Sequence, residues 1–334
     1  MKENERTPNL FKIATSELSQ DAFLVWFLKW SDNSFKNEKL HESSLEFLKS
    51  LLQDKVSENI EKVEVGRQKN RIDVWAKINN KYFLIIEDKK STKEHSNQLE
   101  TYKKTIEQEL KVESNNWKII PIYFKMEEQS DYKKVHNANY TIYSRKMMLS
   151  VILKYKGISD ILDDYIQYIE DLNKDIESYK RMIFSDWTYY SWQGFYNELQ
   201  NRLSGNWDYV PNPSGGFIGF WWHEKKIMLN NSQCTFYIQL EYNKLIIKLK
   251  TEDIVERKKL RNQARITLFQ IAIQKGMQFK KYGRIGKWMG IAKLDGDYRI
   301  VSGSCSMSMP KTITILKNVE NLLDELCQKL EVNL

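Results

Sequence analysis

The stretch Arg71-Ile72-Asp73-Val74, followed after a short interval by Tyr82-Phe83-Leu84-Ile85-Ile86-Glu87-Asp88-Lys89, decides how this 334-residue chain folds. Residues 64–78 and 82–87 are β-rich runs. Asn79-Asn80-Lys81 between them is turn-forming, since asparagine tolerates left-handed backbone. Glu87 and Lys89 are two apart on a strand, so their side chains leave from one face. Asp73 lies on the neighbouring strand. A three-residue loop at 79–81 sets it opposite Glu87; a plain two-residue turn at Asn79-Asn80 sets it opposite Ile86. A shared site therefore requires the longer loop or a bulge. Two carboxylates converging at a sheet end repel each other unless a divalent cation lies between them, and hard oxygen ligands suit Mg²⁺, with Mn²⁺ as the alternative. A lysine beside such a cation holds or deprotonates an attacking water and offsets charge developing on a phosphate. The apolar run 82–86 argues against a solvated face: the charges sit where a buried strand emerges.

Working outward, residues 15–30 place Leu18, Ala22, Val25 and Leu28 on one helical stripe, with Thr15 or Ser16 as its cap. Residues 42–53 continue as a second amphipathic helix. Residues 93–112 read as a charged helix, and 117–124 as a buried strand in which Pro121 favours an edge position or a bulge. The order is helix, three strands, helix, strand, an α/β unit around one sheet.

These residues resemble the PD-(D/E)XK nuclease superfamily. Asp73, Glu87 and Lys89 match its Asp…(Asp/Glu)-x-Lys signature. Ser16-Glu17-Leu18 with the run 23–28 is similar to the opening helix of a bacterial branch, and Gln98-Leu99-x-x-Tyr102 is similar to the Gln and Tyr on that branch's next helix. The resemblance covers roughly residues 10–150 and implies a restriction-endonuclease-like αβββαβ core with a mixed sheet. Two positions depart from the pattern: Ile72 stands where proline is common, and Asp88 adds a charge whose side chain should point to the opposite face. The resemblance implies a metal-dependent nuclease acting on DNA, with RNA as the alternative, of the kind bacteria use in restriction or anti-phage defence. Asp73 and Glu87 would bind Mg²⁺ or Mn²⁺, and Lys89 would serve the water. Glu17 would add a metal or water contact, and Gln98 and Tyr102 would support the lysine or a phosphate. A homodimer or higher oligomer is expected, since one active site cuts one strand. The rival reading is a non-catalytic nucleic-acid-binding or regulatory protein that keeps the fold.

Apolar residues at 41% and charged residues at 29% indicate a folded protein, and 13 Gly with 5 Pro exclude collagen-like and low-complexity classes. The longest apolar run, residues 22–28, is far short of the ~20 needed to span a bilayer. Cys234, Cys305 and Cys327 fit neither a disulfide framework nor a zinc site, so a cytoplasmic location is expected. The net charge of +8 is uneven, being +5 over residues 1–156, −7 over 157–224 and +10 over 225–334.

Three regions are expected: a nuclease domain at 1–156, a helical connector at 157–200, and a C-terminal α+β domain at 201–334 for recognition, sensing or dimerisation. The span 257–287 holds ten Lys/Arg and no Asp/Glu. Arg257, Lys258, Lys259, Arg261, Arg265, Lys280, Lys281, Arg284 and Lys287, with Lys90 near the site, are candidate phosphate contacts. The alternative is a solvated helix paired with the acidic 160–186 segment. Residues 215–222, with Phe217, Phe220, Trp221 and Trp222, suit either a stacking platform or, more readily, the filling of a β core. The aromatic cluster 187–196 reads as an interdomain core. Residues 302–306 form a polar loop without a nucleophile's partners.

Overall fold

The computed structural model describes residues 8–112, 116–212, 215–302 and 306–332. It divides into two compact units between Lys174 and Asp175. The first runs through α1 (Leu10–Ile13), α2 (Glu17–Lys29), α3 (Lys39–Leu52), β1 (Val63–Lys69), β2 (Ile72–Ile78), β3 (Tyr82–Lys89), α4 (Gln98–Val112), β4 (Lys118–Lys125), α5 (Lys133–Asn137), β5 (Thr141–Ser144), α6 (Arg145–Ile152) and α7 (Asp160–Ile176). Ser16 caps α2 by accepting the Ser19 N–H, which satisfies one of the donors a helix start leaves open.

The strand order is β1-β2-β3-β4-β5, with the first three antiparallel and β3, β4 and β5 parallel. This is the mixed sheet and restriction-endonuclease-like core expected from the sequence. β3 is central, and all eight of its residues are buried. Asn79 and Asn80 take left-handed φ values of 52° and 50°, and the register runs from Ile78 opposite Tyr82 to Val74 opposite Ile86. The loop is thus the three-residue one, and one further step sets Asp73 across from Glu87. Pro121 lies in β4, between two strands, but pairing with β5 begins only at Ile122, so the strand is open on that side where proline stands. Leu99, Ile106 and Leu110 of α4 pack on Phe83, Ile85 and Tyr123 on one face. On the other face Gln20 of α2 reaches Asp88. Phe11 and Phe23 close on Tyr165 of α7, with centroids 4.9 and 3.6 Å away.

The second unit holds α8 (Tyr189–Leu203), β6 (Asn206–Val210), β7 (Phe217–Leu229), β8 (Ser232–Glu241), β9 (Lys244–Thr251), α9 (Arg257–Gln274), β10 (Phe279–Lys281), β11 (Trp288–Leu294), β12 (Val301–Ser302), β13 (Ser306–Met307) and α10 (Met309–Val332). Six strands form an antiparallel sheet in the order β10-β11-β9-β8-β7-β6. Period-2 alternation sends Ile218, Phe220, Trp222, Ile238, Ile247 and Leu249 to a core shared with α8, α9 and α10. Phe217, Trp221, Tyr237 and Lys250 go to the opposite face.

Two expectations change. Residues 157–200 do not form a separate connector, because α7 lies almost wholly in the first unit and α8 in the second. Trp187, Trp192, Phe195 and Tyr196 fill the second unit's own core rather than an interdomain one, and Tyr189 is exposed. Cys234 and Cys327 are buried free thiols. Gly303, Ser304 and Cys305, the heart of the expected polar loop, lie outside the described residues. Among the described residues, no helix is long and apolar enough to cross a membrane.

Candidate active site

The geometry follows from the register. β2 and β3 end side by side, and Asp73, Glu87 and Lys89 leave their shared face. The Lys89 ammonium lies 2.5 Å from Glu87 Oε1 and 3.8 Å from Asp73 Oδ2. Glu87 is fully buried. Its Oε1 also accepts the Gln98 amide at 2.5 Å, while Oε2 has no hydrogen-bond partner among the described residues. Gln98 is held in that sense because its own Oε1 accepts the His95 backbone N–H at 3.4 Å. Asp73 Oδ2 accepts the Asp88 N–H at 2.9 Å, tying the two strand ends together.

Crowding sets the electrostatics. Burial, reinforced by the Asp73 charge and offset by Lys89, pushes the Glu87 carboxyl up to about 7. Burial likewise raises Asp73 against the pull of Lys89. For Lys89, burial works to lower the pKa, but Glu87 and Asp73 outweigh it and the net shift is upward. The site holds more negative charge than its one ammonium neutralises.

The opposite face of β3 was less legible. Asp88 points there, as its position required, and its Oδ1 accepts the Gln20 amide. Next to it stands Asp21, a residue that the sequence reading did not single out. Burial and the Asp73 charge raise Asp21 to about 7, and full burial raises Asp88 well above the usual carboxylate range. Asp21 Oδ1 and Asp88 Oδ2 are both buried, and no donor among the described residues reaches either. The signal was there: Asp21 follows Glu17 by four on α2, on the same helix face.

A second layer fixes the segment after β3. Glu17 Oε1 accepts the Lys90 N–H at 2.9 Å and the Thr92 hydroxyl at 3.0 Å, and its charge acts on Asp73 and Lys89. Lys125, opposite Lys89 in β4, donates to the carbonyls of Lys90 and Thr92 at 2.9 and 2.6 Å, and burial brings its pKa down to about 8. Lys90 turns its ammonium to the Thr15 carbonyl at 3.1 Å and over the Tyr168 ring. Tyr102 packs against the apolar cluster under α4, which includes Tyr140. Lys125 and Tyr140 carry no motif, and only the fold brings them near the site.

The basic candidates of 257–287 sit in the second unit. Arg265 is a correction: it is buried and donates to the Ile291 and Tyr282 carbonyls at 2.7 and 3.4 Å, so it braces α9 against β11 and is closed to phosphate. Arg261 donates to the Gly283 carbonyl at 3.1 Å, and Arg257 to that of Thr251 at 3.5 Å. Lys259, Lys280 and Lys287 pair with Glu256, Asp295 and Glu252. Lys258, Lys281 and Arg284 are exposed.

Among the described residues, no group of three or more acidic, histidine or cysteine side chains is arranged to hold a metal ion. The donor chemistry nevertheless suits a hard cation: Asp73 and Glu87 offer carboxylate oxygens at one strand end, and Glu87 Oε2 is an orphaned buried acceptor. In comparison with known proteins, the family model of the PD-(D/E)XK nuclease superfamily matches residues 8–184. Comparison with curated proteins and with solved structures gives no match.

Proposed function

The chain belongs to the PD-(D/E)XK nuclease superfamily, and on that premise we propose that its first unit hydrolyses the phosphodiester bonds of DNA with a divalent cation, Mg²⁺ foremost. The observation that carries this reading is the meeting of Asp73, Glu87 and Lys89 on one face of two adjoining strand ends, with the ammonium 2.5 Å from Glu87 and 3.8 Å from Asp73. Nucleases of this superfamily generally use divalent metals. Asp73 and Glu87 would hold the ion, which when bound polarises the scissile phosphate and acidifies a water.

The chain's own groups do the rest. Lys89, already protonated and anchored on Glu87, orients the attacking water and offsets charge on the phosphate oxygens. Gln98 fixes one oxygen of Glu87 and leaves the other directed at the site. Glu17, with Lys125, keeps the segment after β3 in place through Oε1, and its other oxygen would add a metal or water contact. Restriction or anti-phage defence is the setting the resemblance suggests, with two copies acting together where both strands are cut.

The test is cleavage of plasmid DNA, linear DNA and RNA, with and without Mg²⁺, by the wild type, Glu87→Ala and Lys89→Ala. Metal-dependent DNA cleavage by the wild type is expected, with each variant slower by about 10²–10³-fold or more. Equal residual activity in all three proteins overturns the assignment. Preference for RNA in a mixed reaction overturns the DNA part alone.

A further inference from the structure

The six-stranded sheet of the second unit has one face packed with helices and one open face. Phe217, Trp221, Tyr237, Lys248, Lys250 and Trp288 border a concave cavity of about 640 Å³ on the open side, within the size range of ligand sites. This face differs from an ordinary solvated sheet. Trp288 is 54% exposed, a large apolar surface left in water. The Lys250 ammonium sits 4.4 Å from the centre of its ring, and the Tyr237 ring meets it edge-on at 6.2 Å. Gly219, between Phe217 and Trp221 on the same strand face, adds no side chain to the hollow; a Cβ there would lie 3.0 Å from the Phe217 ring.

The polar groups are organised too. Glu241 is occupied within the face: Oε1 accepts the Gln239 amide at 2.8 Å and lies 3.8 Å from the Lys248 ammonium, and Oε2 accepts the Tyr282 hydroxyl at 3.3 Å. The Lys248 side chain is only 14% exposed, so its charge is carried in a largely apolar hollow. Lys226 pairs with Glu224 at the rim, 3.4 Å away. Flat rings, ammonium groups over and beside them, and a +10 surplus across residues 225–334 define the occupant's chemistry: planar aromatic groups linked by anions. A duplex hides its base faces inside its stack, whereas an unpaired strand presents them.

We propose that this open face binds unpaired nucleotides of single-stranded nucleic acid, with bases stacked on Trp288 and the neighbouring aromatics and phosphates at Lys250 and Lys248. The site is separate from the carboxylates of the first unit, and it stands whether or not those carboxylates cut.

Binding is measured on the full chain by fluorescence anisotropy in EDTA, which separates it from cleavage. The probes are short labelled DNA and RNA single strands and a duplex of the same sequence. Single strands are expected to bind more tightly than duplex. Trp288→Ala is expected to weaken them by about tenfold or more, as loss of one base-stacking platform does, and Trp288→Phe to recover most of the loss. Lys250→Ala should lower both the affinity and its dependence on salt. Circular dichroism of Trp288→Ala and Lys250→Ala should match the wild type, since neither side chain is in the core. Unchanged affinity in both variants overturns the proposal, as does duplex binding that equals single-strand binding and is lost equally in the variants. Displacement of the strand by an equimolar mononucleotide overturns the assignment to a strand in favour of a free nucleotide.

Discussion

The five-stranded sheet of the first unit buries Glu87, Asp88 and Lys89 at the end of its central strand, whereas the six-stranded sheet of the second unit sends Lys226, Lys248 and Lys250 to an open face. Both sheets end strands in charge, but the physical cost differs. The lysines of the open face range from 66% exposed at Lys226 to 14% at Lys248, which lies 3.8 Å from Glu241. A carboxylate with no exposure loses its hydration, and that cost must be offset by partners or by loss of its charge. In the first unit the offset is incomplete: Glu87 keeps an unpartnered oxygen, and Asp21 and Asp88 keep one each. The lesson is where to look for chemistry. The buried, under-compensated charges suit a cation, and the open face, by the proposal above, suits something flat and negative.

The largest expected effect tests the geometry of the first sheet. Deleting Lys81 shortens the 79–81 loop to two residues and moves Asp73 out of line with Glu87. DNA cleavage should fall below detection while the far-ultraviolet circular dichroism spectrum stays near that of the wild type. Inserting one residue at the corresponding turn of the second sheet, Asn230-Asn231 between Leu229 and Ser232, should leave cleavage of a short duplex intact. Equal loss from both changes would erase the distinction between the sheets.

A smaller effect is expected from pH. Glu87 and Asp21 have folded pKa values raised to about 7, above the values of an unfolded chain. Between about 4 and 7 the folded protein keeps protons that the unfolded chain has lost, so the stabilisation present at low pH is lost as pH rises through 7. In EDTA, the melting temperature should therefore be higher at pH 5 than at pH 8. Mg²⁺ should recover part of the difference at pH 8, and Asp21→Asn should flatten the profile. A profile unaltered by Asp21→Asn would show that buried acids do not set the first unit's stability.

The smallest effect concerns a local device. Ser16 caps α2 and so fixes the turn that presents Glu17 to Lys90. Ser16→Ala should lower stability by about 1 kcal/mol, read by urea denaturation, and Ser16→Asp should restore it.

Much of the first unit was legible before any coordinates. The apolar run 82–86 ending in Glu87-Asp88-Lys89 has no comfortable place except a buried strand with charges at its tip. The spacing of Glu87 and Lys89 fixed their common face, and the odd length of the 79–81 loop followed from requiring Asp73 to join them. Residues 217–222 read as a stacking platform, a partner-binding groove or core filling; Phe220 and Trp222 fill the core, and Phe217 and Trp221 line the open face. Arg265 shows the opposite case. In sequence it is one of ten cations in a row without acids. In the fold it is consumed by two carbonyls, because helix periodicity places it on the inward stripe of Arg257 and Arg261 while Lys258 and Lys259 turn out.

By itself, the amino-acid order indicated the strands and their faces, because those depend on periods of two and 3.6 residues, which are local; the fold decided which of two loop lengths joins β2 to β3, and so that Asp73 lies across from Glu87. Tertiary structure alone decided that Asp21 meets Asp88, that Lys125 and Glu17 hold the segment after β3, and that Trp288 and Lys250 stand together at a hollow. Those meetings join residues from 33 to 75 positions apart. Most are far apart in the chain, set by how helices cross the sheet and how strands order themselves, and no local period encodes that.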